Sequence, residues 1–298
     1  MNSSLISKLK KPHLLFRIWK KVRSCFFLDQ WIVLIAPSTG YKALSWAGFI
    51  PFIPPPDRSW ADPFIWVQEN RCYVFIEELL YSTNRGRIIC LTLDEEMNIL
   101  SNQVVLERPY HLSYPFLFEH EGQLYMIPET AENNRIELYC CTHFPDQWEF
   151  SKTLINNVYA VDATLLKTED KWWLFANIKE EGGSSWDTLH LYYADHPLSG
   201  QWTPHSLNPI VKDIHSARPA GHIFLHEGNL IRPSQDCSVR YGYATNFNRI
   251  ITLTKTDYAE ICERTFKPPN KGGILATHTF NNVAGLTAID AKQRRCKF

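Results

Sequence analysis

The sequence lacks the patterns that identify several common protein classes. Its 8 Cys form no C-x-x-C pair, so a structural zinc site is not predicted. No apolar run approaches the roughly 20 residues of a membrane span, and Lys and Arg interrupt the short apolar runs near the N-terminus, so no signal peptide is predicted. No phosphate-binding Gly-rich loop and no nucleophilic triad motif is present. These absences favour a cytoplasmic protein with reduced, mostly buried thiols.

Charge is balanced over the whole chain but unevenly distributed. Residues 1–28 contain seven Lys or Arg and no acidic residue, interleaved with aromatic and aliphatic side chains. Such a basic amphipathic arm is typical of peripheral contact with an anionic membrane surface. A helix packed on the body and a disordered tail are the alternatives. The remainder has 24 basic against 31 acidic residues, so nucleic-acid binding is not predicted.

The sequence contains a pattern that repeats every 48 to 56 residues. In each copy a polar residue begins an apolar strand, and a charged turn and a second strand follow. A period of this size is typical of a β-propeller, whose neighbouring blades cover each other's faces. The openings are Ala61-Asp62-Pro63-Phe64, Ser113-Tyr114-Pro115-Phe116, Val161-Asp162-Ala163-Thr164 and Ala217-Arg218-Pro219-Ala220.

A fifth blade completes the predicted ring. It combines residues 272–298 with the strand at residues 31–35, which joins the two chain ends and removes the open sheet edges. The sequence therefore predicts an all-β, five-bladed propeller over residues 29–298, preceded by the basic arm at 1–28.

Spacing within the repeat gives a second set of equivalent positions. Glu77, Glu129 and Asn177 each lie 15 residues beyond the opening residue of their copy. In the fourth copy Gln235 lies 17 residues beyond Arg218. Either the first strand contains a bulge after Arg218, or Ala220 is the residue equivalent to the opening residues of the other copies. We favour the bulge.

Polar residues at equivalent positions of inner strands converge on the central funnel of a propeller. A structural interpretation competes at each one, since Asp before Pro often caps a turn and a lone His is usually a structural residue. No metal and no cofactor is predicted. The candidate catalytic residues are Asp62, Asp162, Glu129 and Asp236, and the candidate substrate-binding residues are Arg218, Tyr114, Gln235, Glu77, Asn177 and His278.

Several strings in order resemble one family, over roughly residues 30–290. The chain resembles the N-terminal domain of plant glucosamine inositolphosphorylceramide transferase and its stand-alone bacterial relatives, and more distantly the five-bladed propellers of glycoside hydrolase family 43. The strings are Trp60-Ala61-Asp62-Pro63-Phe64, His111-Leu112-Ser113-Tyr114-Pro115-Phe116, Pro128-Glu129, Val161-Asp162-Ala163-Thr164, Ala217-Arg218-Pro219-Ala220-Gly221, Arg232-Pro233-Ser234-Gln235-Asp236, Tyr241-Gly242-Tyr243 and Thr277-His278-Thr279.

The hydrolase resemblance implies a base or nucleophile on the first blade, an orienting Asp on the third and an acidic Glu on the fourth. Asp62 and Asp162 match the first two roles, but Arg218 stands where the acid is expected. Arg does not release its proton at neutral pH and cannot be this acid. Either Glu129 or Asp236 protonates the leaving oxygen, or the leaving group is already anionic and Arg218 binds it. Related hydrolase propellers hold calcium near a last-blade His, but no dedicated oxygen-ligand loop is present here.

The expected function is carbohydrate chemistry in surface-glycan or glycolipid biosynthesis. The expected reaction is glycosyl transfer or related glycosidic-bond chemistry on a phosphate-bearing or acidic sugar, and the expected partner is a sugar, glycan or glycolipid. The alternatives are a non-catalytic glycan-binding module and a hydrolase of the family 43 type. The expected location is the cytoplasm, with the arm offering contact to the inner face of the membrane.

Overall fold

A computed structural model describes residues 26–296 of the chain. The predicted basic arm at 1–28 therefore lies almost entirely outside the described residues. The described part consists of β-strands and two 3-10 turns, at Tyr41–Ala43 and Ala131–Asn133. Within residues 26–296 no helix has the length and apolar character needed to cross a membrane.

The strands follow one another with short connections. Two strands precede the first repeat, β1 (Phe27–Pro37) and β2 (Ile50–Phe52). The first repeat contains β3 (Arg58–Gln68), β4 (Arg71–Leu80), β5 (Arg85–Leu93) and β6 (Ile99–Leu106). The second contains β7 (Ser113–His120), β8 (Gln123–Glu129), β9 (Arg135–His143) and β10 (Gln147–Asn156). The third contains β11 (Ala160–Lys167), β12 (Trp172–Ile178), β13 (Thr188–Ala194), β14 (Thr203–Pro204) and β15 (Val211–Lys212). The fourth contains β16 (Phe224–His226), β17 (Asn229–Asp236), β18 (Ala244–Leu253) and β19 (Tyr258–Phe266), and the chain ends with β20 (Ile274–Ala276), β21 (Phe280–Val283) and β22 (Leu286–Cys296).

Each of the first four repeats forms its own antiparallel sheet, with its strands in sequence order. The fifth sheet has the order β2-β1-β22-β20, with β21 also paired to β22. β1 and β22 are paired along their whole length, from Phe27 opposite Cys296 to Pro37 opposite Leu286. The prediction of an all-β, five-bladed propeller is confirmed, and both ends of the described chain lie in one blade.

The core lies between the blades. Phe64 and Phe75 of blade 1 pack in one buried cluster with Phe116 of blade 2, and that cluster continues to Leu174 of blade 3. Burial of this kind on both faces of each sheet is the main source of stability in the fold. The seven cysteines within the described range are all unpaired; of these, Cys262 and Cys296 are exposed.

The inner strands of the first three blades share a bulge at the opening residue. Asp62, Tyr114 and Asp162 have φ values of 52°, 44° and 55°, the left-handed region that residues other than Gly seldom adopt. In each case the strand register shifts by one residue at this point. The bulge re-aims the backbone at the start of the strand. As a result, the residue before each opening residue lies opposite Glu77, Glu129 or Asn177.

The fourth blade departs from this pattern. Gln235 N donates to Arg218 O at 2.8 Å, so Arg218 itself lies opposite Gln235. Pro219 bridges to Ser234, and regular pairing resumes only where Phe224 faces Ile231. The extra residues follow Ala220, which is the bulge that the longer spacing predicted. However, Arg218 lies directly opposite Gln235, as Ala61 lies opposite Glu77, so Arg218 corresponds to Ala61. This corrects the prediction that Arg218 is equivalent to Asp62.

Candidate functional site in the central cavity

A polar cavity of about 210 Å³ lies where the inner strands begin. Its wall combines side chains from blades 1, 2, 4 and 5. The side chains that give the wall its chemistry are Trp31, Glu77, His111, Glu129, Arg218, Tyr241 and His278.

Glu129 lies on the wall at the end of β8, beside a buried ion pair. Arg218 donates to Asp162 from Nε at 2.5 Å and from Nη2 at 3.2 Å, and its Nη2 lies 3.4 Å from Glu129 Oε2. Burial and the neighbouring Asp162 raise the pKa of Glu129 to about 8, although the charge of Arg218 opposes the shift. Glu129 is therefore more readily protonated than an ordinary carboxyl group, and it lies next to the Asp162 side chain.

Glu77 is the second wall carboxyl group, within β4. His111 Nε2 lies 3.2 Å from Glu77 Oε1. Gly86 N donates to His111 Nδ1 at 3.0 Å, so that nitrogen offers its lone pair and the proton resides on Nε2. Burial opposes charge on this ring, but the hydrogen bond to Glu77 and the charge of Glu77 outweigh it and raise the pKa of His111 to about 9. Gly86 is required there, because a Cβ would lie 2.9 Å from Glu77 Oε1 and 2.3 Å from Leu112 O.

His278 forms the far wall, in the segment between β20 and β21. Its Nδ1 lies 2.5 Å from Asp290 Oδ2, and its ring stacks on Trp31 with a centroid distance of 4.1 Å. Burial opposes charge on the ring, but Asp290 and Asp62 outweigh it and raise the pKa of His278 to about 9. His278 is therefore an imidazolium at neutral pH.

Asp62 lies behind this wall, and each of its two carboxyl oxygens accepts a hydrogen bond. Thr279 Oγ1 donates to its Oδ1 at 2.6 Å, and Tyr114 N donates to its Oδ2 at 3.2 Å. Burial raises the pKa of Asp62 above its usual range, although the charge of His278 opposes the shift.

One atom each from Asp62, His278 and Asp290 lies within 4.8 Å of the others, a spacing that a metal ion would accept. However, His278 Nδ1 forms an ion pair with Asp290 Oδ2, and Asp290 Oδ1 already accepts from the backbone N–H of His278 at 2.8 Å and of Thr279 at 3.2 Å. These groups form a closed ion pair and do not fit a hard cation, which needs free oxygen ligands.

Two aromatic rings complete the cavity. Tyr241 lies in the turn between β17 and β18, with the guanidinium of Arg218 4.9 Å from its ring centroid. Trp31 lies on β1 and presents an aromatic face that is shared with His278. Rings of this kind pack against the apolar faces of sugar rings.

The structure separates the candidate residues into groups. Glu77, Glu129, Arg218 and His278 lie on the cavity wall. Asp62, Asp162 and Gln235 lie beneath it, and Gln235 Nε2 donates to Asp162 Oδ2 at 2.9 Å.

The remaining three candidates lie elsewhere. The hydroxyl of Tyr114 bonds Thr164 Oγ1 at 2.8 Å and Gly221 N at 2.7 Å, so this side chain is part of the core. Asn177 is buried, and neither polar atom of its amide has a partner in the described part of the chain. Asp236 borders a different groove, between blades 3 and 4. Tyr114, Asn177 and Asp236 therefore do not line the central cavity.

Sequence reasoning missed His111, Asp290 and Thr279. Asp290 had a usable signal, because it is a single acid inside the alternating apolar strand β22, where it is fully buried. His111 and Thr279 lie in connecting segments, where no periodicity marks them.

The fold and cavity define a five-bladed propeller whose funnel brings carboxyl groups, an arginine and a histidine together. The chain belongs to the family described as Glucosamine inositolphosphorylceramide transferase 1, N-terminal, whose model matches residues 54–279. It is 37% identical over 244 residues to glucosamine inositolphosphorylceramide transferase 1 of Oryza sativa subsp. japonica, covering 80% of this chain and 32% of that protein. The protein of the same name in Arabidopsis thaliana is 33% identical over 210 residues, covering 69% of this chain and 27% of that one. The chain thus spans about a third of the length of these relatives.

Solved structures share the fold at low sequence identity. A family 117 glycoside hydrolase, Zg3597 of Zobellia galactanivorans, matches with a TM-score of 0.56 at 10% identity, over 89% of this chain and 91% of that one. The catalytic domain of a family 62 α-L-arabinofuranosidase from Coprinopsis cinerea matches with a TM-score of 0.56 at 11% identity, over 90% and 98%. CoXyl43, a family 43 β-xylosidase/α-arabinofuranosidase from a compost metagenome, matches with a TM-score of 0.51 at 12% identity, over 79% and 84%. At this identity the likeness concerns the fold.

Proposed function

We propose that the central cavity is a carbohydrate site in which this chain carries out glycosidic-bond chemistry on a glycan or glycolipid. The observation that carries the proposal is the pair of carboxyl groups on the cavity wall, Glu129 and Glu77, of which burial and Asp162 raise the pKa of Glu129 to about 8. Breaking or exchanging a glycosidic bond needs an acid that protonates the leaving oxygen. Glu129 supplies that acid in place of the fourth-blade carboxyl group that Arg218 replaces.

Glu77 is the proposed base or nucleophile. It is the other carboxyl group on the wall, and the Nε2–H of His111 fixes its orientation. This assignment replaces Asp62, whose oxygens are occupied by Thr279 and Tyr114 beneath the wall. Glycosidic-bond chemistry requires two carboxyl groups in different roles, one as the acid and one as the base or nucleophile.

The proposed substrate bears phosphate or another acidic group. Arg218 and His278 are cationic groups on the described wall, and Arg is suited to paired hydrogen bonds with phosphate. The name of the plant relatives includes a phosphorylceramide, which supports a phosphate-bearing glycolipid. We extend the proposal to a role in surface-glycan or glycolipid synthesis on the cytoplasmic side of a membrane, with residues 1–28 in peripheral contact.

A glycan-binding module without turnover is the second candidate. It is favoured by the complete hydrogen bonding of Asp62 and Asp162, the two residues that match the hydrolase pattern. Under this function the cavity recognises a sugar, and no bond is broken.

A thermal-shift experiment tests the substrate class. Inositol 1-phosphate and glucose 1-phosphate are compared with methyl glucoside and cellobiose on wild type, Arg218→Gln and the exposed control Glu121→Gln. A bound phosphate ester at 100-fold excess over Kd raises Tm by about 5 °C. We expect this rise in wild type and Glu121→Gln and its loss in Arg218→Gln. A rise with neutral sugars alone, retained in Arg218→Gln, contradicts the phosphate-bearing substrate.

A further inference from the structure

Strand direction distinguishes the two ends of the propeller. The inner strands β3 and β7 begin at the central cavity, and His278 on the cavity wall lies just before the inner strand β21. Both β21 and β1 are antiparallel to β22, so β1 runs in the same direction as β21. β1 therefore begins at the same end of the propeller as the cavity. We call this end the cavity end and the opposite one the far end.

A basic stretch of sequence leads into the cavity end. β1 begins at Phe27, and residues 1–25 of the sequence contain seven Lys or Arg and no acidic residue. β22 ends beside the start of β1. There Arg294 forms an ion pair with Asp29, whereas Arg295 donates to the uncharged amide of Gln30. The chain therefore enters the propeller at the cavity end directly after its most basic segment.

The hairpin turns at the far end are acidic. In blades 1–4 these turns join β3 to β4, β5 to β6, β7 to β8, β9 to β10, β11 to β12, β13 to β14, β16 to β17 and β18 to β19. Each of them contains Asp or Glu, whereas their basic residues are Lys171 and Lys255. The connections at the cavity end carry both signs of charge. An anionic surface therefore repels the far end more strongly than the cavity end.

The cavity end also exposes aromatic side chains. Phe26 and Phe27 are exposed at the start of β1. Tyr81 directly follows β4 and Tyr159 directly precedes β11, so these exposed rings lie at the cavity end too. Val239 is exposed in the turn between β17 and β18, which reaches the cavity wall. Aromatic rings are favoured at the interface between lipid headgroups and acyl chains.

We propose that the cavity end of the propeller docks on an anionic membrane surface, so that the cavity opens toward the lipid headgroups. The basic residues before β1 supply the attraction, each strengthening binding by about fivefold when it lies close to such a surface. The exposed aromatic rings supply apolar contact, and the acidic far end points away. This inference rests on the proposed carbohydrate function of the cavity and adds that its substrate is held in a bilayer.

Co-sedimentation with vesicles tests the orientation. The full chain is mixed with vesicles of phosphatidylcholine, or of equal parts phosphatidylcholine and phosphatidylserine. Val239→Glu at the cavity end and Leu225→Glu at the far end are matched variants, because the two side chains are 60% and 69% exposed. We expect binding to the anionic vesicles that weakens as salt is added. Val239→Glu should weaken it by at least about fivefold, and Leu225→Glu should leave it unchanged.

An environment-sensitive fluorophore reports which end meets the bilayer. It is attached to Val239→Cys or to Leu225→Cys in the full chain carrying Cys25→Ser, Cys262→Ser and Cys296→Ser, which removes the two exposed thiols and the one before β1. On anionic vesicles we expect emission to shift to shorter wavelength for Val239→Cys and to stay unchanged for Leu225→Cys. Equal shifts at both positions, a shift at the far end alone, or no binding to anionic vesicles overturns the inference.

Docking and cavity chemistry are tested separately. Vesicle binding without a shift for Val239→Cys would mean that residues 1–25 tether the propeller while its cavity end stays in solution. The docking inference then fails, and the carbohydrate site stands. The thermal-shift experiment uses soluble phosphate esters and no membrane, so a failure there contradicts the cavity proposal alone.

Discussion

Arg218 of the fourth blade donates two hydrogen bonds to Asp162 of the third, from Nε at 2.5 Å and from Nη2 at 3.2 Å. Both side chains are buried, and Arg218 also reaches the cavity wall. The same guanidinium lies 3.4 Å from Glu129 of the second blade. Arg218 thus connects side chains of three blades, and of its two carboxyl partners Glu129 is the one that lines the cavity.

Arg218→Ala should destabilise the fold strongly, because it leaves the carboxylate of Asp162 buried without its cation. Loss of one partner of a buried ion pair costs about 3–5 kcal/mol. The free energy of unfolding is measured in urea for wild type, Arg218→Ala and the exposed control Arg85→Ala. A loss below about 1 kcal/mol, equal to that of Arg85→Ala, would show that the pair is exposed in solution.

Glu129 should make stability depend on pH. Its folded pKa of about 8 exceeds the ordinary value of 4.5, so the folded state binds more protons than the unfolded chain. Its stabilising contribution is therefore complete below about pH 4.5 and is lost as pH rises to about 8, by up to about 1.4 kcal/mol per pH unit. Glu129→Gln cannot ionise and lacks this decline.

The measurement is the free energy of unfolding of both proteins at pH 5, 6.5 and 8. The difference, wild type minus Glu129→Gln, should fall steadily over this series. Asp62 and His278 titrate in both proteins, and their contributions therefore largely cancel. A difference that stays constant or rises with pH would mean that Glu129 is ionised in the folded protein.

Gly221 should tolerate no side chain. It has a φ of 125°, and a Cβ would lie 2.0 Å from Phe280 O. Gly122 also has a positive φ, of 75°, but a Cβ there meets nothing within 4 Å. Gly122→Ala should cost only about 1–2 kcal/mol of backbone strain, and Gly221→Ala should cost more because the backbone of blade 5 must also move. Comparable Tm losses would contradict this packing.

Tyr114→Phe should separate stability from binding. The hydroxyl bonds Thr164 and the backbone of Gly221, and it does not line the cavity. Its removal should reduce the free energy of unfolding by about 1–3 kcal/mol, since Gly221 N–H is left unpaired. Affinity for the cavity ligand, measured by calorimetry, should not change. A marked loss of affinity would restore Tyr114 as a substrate-binding residue.

The fold was predictable because each blade is a local series of hairpins whose pattern repeats along the chain. The same repeat marked Glu77 and Glu129, which line the cavity wall from β4 and β8. It did not indicate the placement of Asp62 and Asp162, which lie at a one-residue bulge with a left-handed backbone and are buried beneath the wall. No sequence period reports the direction of a side chain at a bulge.

Contacts between segments that are far apart in the sequence could not be predicted from the repeat. Trp31 on β1 meets His278 near the other end of the chain, and His111 reaches Glu77 from the connection between blades 1 and 2. These pairs form only when the ring of blades closes. Asp236 shows the converse, because it follows an apolar strand as Glu129 does but faces the gap left by the short edge of blade 3.

The central claim is that Glu129 donates a proton in glycosidic-bond chemistry. The most direct test incubates the sugar that stabilises wild type with wild type, Glu129→Gln and Glu121→Gln, and follows product formation by mass spectrometry. We predict product with wild type and Glu121→Gln, and a rate at least about 100-fold lower with Glu129→Gln, which still binds the sugar. Equal rates in all three proteins, or binding without product in wild type, would contradict the claim.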